Sequence, residues 1–503
     1  MTAGRVGRED LVSETPDPRR WRALTVCLVA GFMTLLDVSI VNVALPSIQQ
    51  GTGASPSDLQ WIVSGYALTF GLTLVGAGRV GDAIGRRPVF IVGVVLFGVA
   101  SLACGLATSS AALVVARLVQ GAAGGILNPQ VSGLIQEMFS GRERGRAFGM
   151  LGATIGISTA VGPIVGGTII SALGPDAGWR WIFFVNLPIA VVAVVLARRW
   201  LPAPHRASSA PLDLDPVGVV LLGAAVLALL LPLVETGRGT GSGGEAGASL
   251  TIPWWVAVIG AAVAAVFVAW ERRYTRRGGS PLVDLDLFRV PGYSSGAAVG
   301  LIYFGGFTGI FFVLTIYFQE ALGYSPLLAG LAVTPFAAGS AVAAAAGGYL
   351  VARFGRLLVT VGLTTVLIGL VVVDLVLARV SGPGLGWALA APLLVAGLGS
   401  GIVISPNVTL TLADVPVPRA GTAGGLLQTG QRIGTAAGIA LIGAVYFSVS
   451  AGQDATRGAV WALRVAAVLV AVALLASALD LRARRRPAQA ARDDDDGEVV
   501  AGA

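Results

Sequence analysis

Fourteen mostly apolar stretches, each long enough for a helix to cross a bilayer, decide what this chain can become. A hydrocarbon core about 30 Å thick needs roughly 20 residues of α-helix. Such stretches run near 22–46, 58–79, 87–107, 110–138, 145–172, 179–198, 216–236, 251–270, 292–322, 326–352, 357–379, 384–412, 420–450 and 458–481. The first is too long for a secretory signal, has no small-residue cleavage site, and is followed by thirteen more. The expected fold class is therefore an all-α polytopic membrane protein with 14 transmembrane helices. Composition agrees: of 503 residues 55% are hydrophobic and 12% charged. Soluble domains carry about 25% charged residues, which argues against a soluble enzyme or a DNA-binding protein.

The arginines test the count. The chain has no lysine, so all 34 basic residues are arginine. With the N-terminus placed in the cytoplasm and the loops alternating, 27 arginines fall on the inner side. Only Arg180, Arg238, Arg379 and Arg457 fall outside, and Arg117, Arg432 and Arg464 lie within stretches. The positive-inside rule produces that split for an even number of spans with both termini cytoplasmic, as in a bacterial plasma membrane. The net charge of +7 then encodes topology and implies no nucleic-acid partner. Cys27 and Cys104 lie in separate apolar stretches and His205 has no companion ligands, so neither a disulfide framework nor a metal site is expected.

The expected organisation is a disordered cytoplasmic tail (1–20), a six-helix bundle (21–200), a linker holding two inserted spans and an amphipathic cytoplasmic segment (201–290), a second six-helix bundle (291–482) and a second cytoplasmic tail (483–503), disordered from 487 on. The run Asp493–Asp496 reads as a solvated acidic tail, and the Gly/Ser-rich loop 237–249 as flexible. Segment 271–289 is expected along the membrane surface, with Leu285, Leu287 and Phe288 facing lipid or the bundle. A weak repeat supports two halves: GRVGDAIGRR (78–87) and GYLVARFGRL (348–357) align Gly78, Gly85 and Arg86 with Gly348, Gly355 and Arg356.

These strings carry a resemblance. GRVGDAIGRR resembles motif A of the major facilitator superfamily, ARLVQGAAGG (116–125) its motif B, and GISTAVGPIVGG (156–167) its motif C, which in the superfamily marks exporters. LLDVSIVNVALPSIQ (35–49), DLQWIVSGYALTF (58–70) and WRWIFFVNLPI (179–189) are similar to strings of the fourteen-helix drug:proton antiporters, the EmrB/QacA-like branch. The resemblance implies the major facilitator fold, two pseudo-symmetric six-helix bundles plus two inserted helices. The second copy of motif A departs from the first, with Ala352 in place of the acidic residue.

Physical reasons accompany the motifs. In motif A, Gly78, Gly81 and Gly85 permit a tight turn. Asp82 can face a helix N-terminus, while Arg86 and Arg87 pair with acids such as Glu137 or Glu143, which would form a latch. In motif C, Gly152, Gly156, Gly162, Gly166 and Gly167 around Pro163 suit a close-packed, bendable pivot.

Charge inside a bilayer costs at least about 2.5–3.5 kcal/mol and marks a functional candidate. Asp37 lies nine residues before Pro46, about 14 Å deep, and Arg117 seven residues past Ser110, about 10 Å deep. Similar depth makes them neighbours, either as a static ion pair or as a switchable proton site. The resemblance assigns proton coupling to these positions, with Asp37 as carrier and Arg117 as modulator. Arg432 is a second buried cation, and Asp374 and Glu320 are secondary acids, either of which could pair with it. A substrate cavity needs apolar walls with convergent polar groups. Its candidates are Asn42, Gln60, Trp61, Tyr66, Gln120, Asn128, Tyr303, Phe307, Phe311, Asn407, Gln428 and Gln431.

The expected function is a proton-coupled exporter of hydrophobic or cationic drugs working by alternating access, with lipid, protons and lipophilic compounds as partners and a monomeric state. The chain has no GxxxxGK[ST], so the expected energy source is the proton-motive force, with no ATP and no other cofactor. The alternatives are a narrow-substrate transporter of metabolites or lipid precursors, or a polytopic membrane enzyme, for which the chain offers little catalytic material.

Overall fold

A computed structural model of the chain describes residues 19–139, 141–202, 214–235, 254–415, 420–451 and 454–501. His205 and the loop 237–249 lie outside the described residues. Among the described residues, 14 helical spans are long and apolar enough to cross a membrane. The first half comprises α1 (Arg20–Thr52), α2 (Pro56–Ile84), α3 (Arg86–Leu106), α4 (Ser110–Met138) and α5 (Gly141–Leu173), then α6 (Pro175–Phe184) and α7 (Asn186–Trp200), which share the sixth span. The inserted pair is α8 (Pro216–Glu235) and α9 (Trp255–Arg276). The second half comprises α10 (Pro291–Ile316), α11 (Pro326–Phe354), α12 (Arg356–Leu377), α13 (Leu385–Ala413), α14 (Ala420–Ser450) and α15 (Ala455–Ala501).

Local chemistry sets several boundaries. Ser55 and Asp58 exchange hydrogen bonds of 3.1 and 3.0 Å at the start of α2, a capping box followed by Pro56. The sixth span breaks at Val185 because Pro188 has no N–H to offer the carbonyl of Phe184, four residues back. The ninth span closes in a π-turn, Tyr317–Ala321. Helix α15 extends to Ala501, beyond the stretch that hydropathy marks out and through residues that the sequence reads as a disordered tail.

The two halves repeat one packing scheme. α1 packs on α5, α2 and α3 on α4, and α7 on both α1 and α3. Correspondingly, α10 packs on α14, α11 and α12 on α13, and α15 on both α10 and α12. Small residues make the closest seams, because association in lipid relies on close packing. Thr69 and Thr73 of α2 donate to the carbonyls of Leu118 and Ala122 at 2.8 and 3.1 Å. There Gly121 and Gly125 let α4 lie against the α2 backbone, and Gly397 and Gly401 of α13 do the same against Phe336 and Ser340 of α11. The halves meet along α5–α11 and α2–α14. Large apolar side chains such as Val92, Val220, Val258 and Leu475 are exposed, as a lipid-facing perimeter requires.

The inserted pair packs as a hairpin whose α8 touches both α2 and α14, one helix from each half. Its start is built on Asp215, a fully buried residue with φ of 42°. The Asp215 carboxylate accepts from the Gly218 N–H (2.9 Å), the Trp270 indole (2.8 Å) and the Leu282 N–H (3.3 Å). Glu271, also fully buried, accepts from the Val283 N–H at 3.3 Å. Arg79 of α2 donates to the carbonyls of Ser280 and Pro281. Segment 280–290 is thereby folded onto the bundle, with Leu282, Val283 and Leu287 in a cluster with Val75, Phe267 and Tyr293. Leu287 faces the bundle and Phe288 stays exposed. Asp215→Ala removes a helix cap worth about 0.5–2 kcal/mol together with the Trp270 partner. A thermal melt of the purified protein is expected to fall by several degrees, while the neighbouring Asp286→Ala, on an exposed residue, leaves it unchanged.

Candidate functional site

Asp37 sits near the middle of the 33 residues of α1 and is fully buried. Three side chains donate to its carboxylate: Arg117 of α4 at 2.6 Å, Gln120 of α4 at 2.9 Å and Asn186 of α7 at 2.8 Å. Arg117 and Gln120 are three residues apart and so share one side of α4. Ser101 of α3 accepts from Gln120 at 2.7 Å and from Asn186 at 3.2 Å. Arg117 also donates to the Ile62 carbonyl of α2 (3.1 Å) and to Gln120 (2.7 Å), and its guanidinium lies 4.2 Å from the Tyr66 ring centroid. Helices α1, α2, α3, α4 and α7 thus converge on one charge-balanced cluster.

Such a cluster can do one thing a static pair does not need to do. A proton taken up by Asp37 cancels its charge, and Arg117 then still has the Ile62 carbonyl, Gln120 and the face of Tyr66. Both protonation states therefore keep a partner for the guanidinium.

The other charges are arranged differently from the pairings that the sequence suggests. Asp374 forms a two-pronged ion pair with Arg464 of α15, at 3.0 and 3.2 Å. Glu320 is exposed in the π-turn after α10. Neither reaches Arg432, which is half-buried on α14 with its guanidinium 4.2 Å from the Phe70 ring centroid on α2. Among the described residues no carboxylate pairs with Arg432. The aromatic face takes the place that the sequence leaves to an acid.

In motif A, Arg86 holds Asp82 at 2.6 Å and Glu137 of α4 at 2.6 Å. Asp82 therefore pairs with an arginine side chain. Arg87 donates to the Arg198 carbonyl at 2.5 Å in place of an acid, and Glu143 pairs with Arg20 at 2.9 Å. Gly85 joins α2 to α3 with φ of 98°, a conformation open to glycine, and Gly78 lies close to Pro129. In the second copy, where residue 352 is alanine, Arg356 reaches Asp480 of α15 at 3.4 Å. Motif C divides its labour. Gly162 and Gly166 pack on Ser39 and Ile40 of α1, while Gly156, Pro163 and Gly167 meet Ala341, Gly330 and Leu327 of α11. Gly152 faces open space and takes no part in either seam.

The twelve wall candidates separate into groups. Gln120 belongs to the Asp37 cluster, and Trp61 packs on the α8 cluster of Val226, Leu230 and Val234. Hydrophobic area decides the second case, since the inserted helix covers that side of α2. Asn128 donates to Gln428 at 2.5 Å across the two halves. Phe307 stacks on Tyr303, and Phe307 and Phe311 meet Phe336 of α11 at tilted and edge-on angles. Gln431 is mostly buried beside Gly300. Asn42, Gln60, Tyr66 and Asn407 each keep a buried polar atom with no hydrogen-bond partner among the described residues, as does Thr435 of α14. A buried polar atom left unpaired costs about 1–3 kcal/mol, so such atoms mark places where a further partner fits.

Sequence reasoning missed Asn186, Ser101 and Gln319. Asn186 is 149 residues from Asp37, and its signals are an amide beside Pro188 in a span and its place in the string WRWIFFVNLPI. Gln319 donates to the Val43 carbonyl of α1 at 2.9 Å and closes the halves at the end opposite the motif A arginines.

Residues 27–439 and 296–501 match the major facilitator superfamily. A probable actinorhodin transporter of Streptomyces coelicolor is 39% identical over 445 residues, 87% of this chain and 74% of that protein. A puromycin resistance protein of Streptomyces alboniger is 35% identical over 90% of this chain and 86% of that protein. Among solved structures, a bacterial homologue of the human lysosomal transporter Spinster shares the fold with a TM-score of 0.64 at 14% identity, over 93% of this chain and 98% of that one. The chain belongs to the major facilitator superfamily, in the multidrug branch that holds antibiotic-transport and drug-resistance proteins.

Proposed function

We propose that the protein is a proton-coupled exporter of hydrophobic or cationic drug-like compounds. It sits in a bacterial plasma membrane with both termini cytoplasmic and works by alternating access as a monomer. The proton-motive force, rather than ATP, drives it. The observation that carries this reading is the Asp37–Arg117 pair, buried mid-span and built to keep its cation partnered whether or not the acid is ionised. The names of the relatives, actinorhodin transporter and puromycin resistance protein, support small antibiotics as cargo. Proton entry at Asp37 loosens the cluster that ties α1 to α3, α4 and α7, and the two halves then rock about the α5–α11 and α2–α14 seams.

The test is transport in liposomes that hold the purified protein. An imposed pH gradient is expected to move a lipophilic dye or antibiotic against its concentration and to carry protons the other way. A gradient that moves no compound of a broad panel, but does move a single metabolite class, selects the narrow-substrate reading. Movement that requires ATP rejects the proposal.

A further inference from the structure

Helix α14 carries one charge into the space between the halves, and packing fixes where it stands. A Cβ built on Gly71 of α2 meets the Arg432 Cβ at 2.9 Å, and the Thr429 hydroxyl donates to the Gly71 carbonyl at 2.9 Å. One turn earlier on α14, Gln428 accepts from Asn128 of α4. Arg432 therefore lies in the wedge between α2 and α4 of one half and α14 of the other.

Arg432 is half-buried, its guanidinium lies over the Phe70 ring, and among the described residues nothing accepts a hydrogen bond from it. A ring face attracts a cation but neither cancels its charge nor takes its five N–H donors. Two hydroxyls nearby are also unpartnered. Tyr66, one turn before Phe70, has its hydroxyl beside Gly124 of α4, and Thr435 lies three residues along α14. Both residues are more than nine-tenths buried.

The acids of the bundle are committed elsewhere or far away. Asp37 accepts from three donors, Asp374 holds Arg464, and Glu320 is in the exposed turn after α10. The charge that α14 brings to this seam is thus positive, and the unpartnered Tyr66 and Thr435 hydroxyls lie on the same two helices, α2 and α14.

We propose that Arg432 is the anion-recognising residue of the substrate site. The protein carries lipophilic acids, compounds with an apolar ring body and a carboxylate or ionised phenol, whose acid oxygen pairs with Arg432 and accepts from Tyr66 and Thr435. This rests on the export reading and narrows its substrate class away from cations.

Binding to the purified protein in detergent, with no gradient imposed, tests the inference separately from coupling. Fluorescein and rhodamine 6G share a xanthene body, and the first is an anion and the second a cation. Fluorescence anisotropy is expected to show fluorescein binding at least about tenfold tighter than rhodamine 6G. Arg432→Gln is expected to weaken fluorescein at least about tenfold and to leave rhodamine 6G unchanged or tighter, and Arg432→Lys to stay within about threefold of the wild type. A wild type that binds rhodamine 6G as tightly as fluorescein, or binds neither, overturns the proposal. So does an Arg432→Gln protein that loses both dyes equally, since that is the mark of a packing role. If Arg432→Gln does not fold, the wild-type preference and Arg432→Lys still decide.

Discussion

Asp37→Asn is expected to abolish gradient-driven export, with an initial rate in proteoliposomes at least about 100-fold below the wild type, because in the proposed cycle Asp37 takes up and releases a proton and an amide can do neither. The same variant removes the counter-charge of Arg117, so its melting temperature falls as well. The cost stays below the about 3–5 kcal/mol of a wholly unpaired buried charge, because the Ile62 carbonyl, Gln120 and the Tyr66 ring remain. The two effects separate in the double variant. Combining Asp37→Asn with Arg117→Gln removes both charges and leaves amides that can still hydrogen-bond to Gln120, Asn186 and Ser101. It is expected to recover most of the lost thermal stability while export stays abolished. A double variant that exports at the wild-type rate would show the pair to be static packing and would remove Asp37 as the carrier. Arg117→Lys gives a graded version. One ammonium cannot reproduce the fork that reaches Asp37, Gln120 and the Ile62 carbonyl together, so coupling weakens without the full loss.

Gly167→Leu is expected to have the second largest effect. A Cβ at this position meets the Leu327 Cα at 2.5 Å and the Pro326 carbonyl oxygen at 2.8 Å, so a leucine cannot fit while α5 and α11 are closed together. Overpacking of this kind costs about 1–3 kcal/mol against the closed seam, enough for a roughly fivefold to 150-fold loss of transport. A spin-label distance across the seam is expected to lengthen, and the protein to remain folded. Gly152→Leu is the matched control from the same motif. It points to open space and is expected to transport like the wild type. Equal transport by the two leucine variants would show that this seam takes no part in the cycle.

What the sequence makes legible follows from the physics of the bilayer. Hydropathy locates the fourteen helices among the described residues that are long and apolar enough to cross a membrane, because a lipid core punishes unpaired backbone. Asp37 and Arg117 can be matched by depth alone, since both lie on uninterrupted helical runs where rise per residue converts sequence into height. Depth says nothing of rotation about the helix axis, however, and so Gln120 reads as a wall residue although it faces Asp37. Asn186 is hidden for a different reason: its approach to Asp37 depends on the break between α6 and α7. Asp215 and Glu271 are missed because acids beside a predicted loop look solvated, whereas segment 280–290 folds back and buries both. Arg432 shows the limit of pairing charges by sign, since the group that meets it is an aromatic ring.

The position of α8 has a consequence for the way in from the lipid. It lies across the α2–α14 boundary and touches both helices, so that flank is sheathed by an extra helix. The α5–α11 boundary has no such cover among the described residues, only its own glycines. A compound dissolved in the membrane therefore meets a one-sided molecule, with a shielded flank and a bare one, and any sideways passage between the halves runs along α5 and α11.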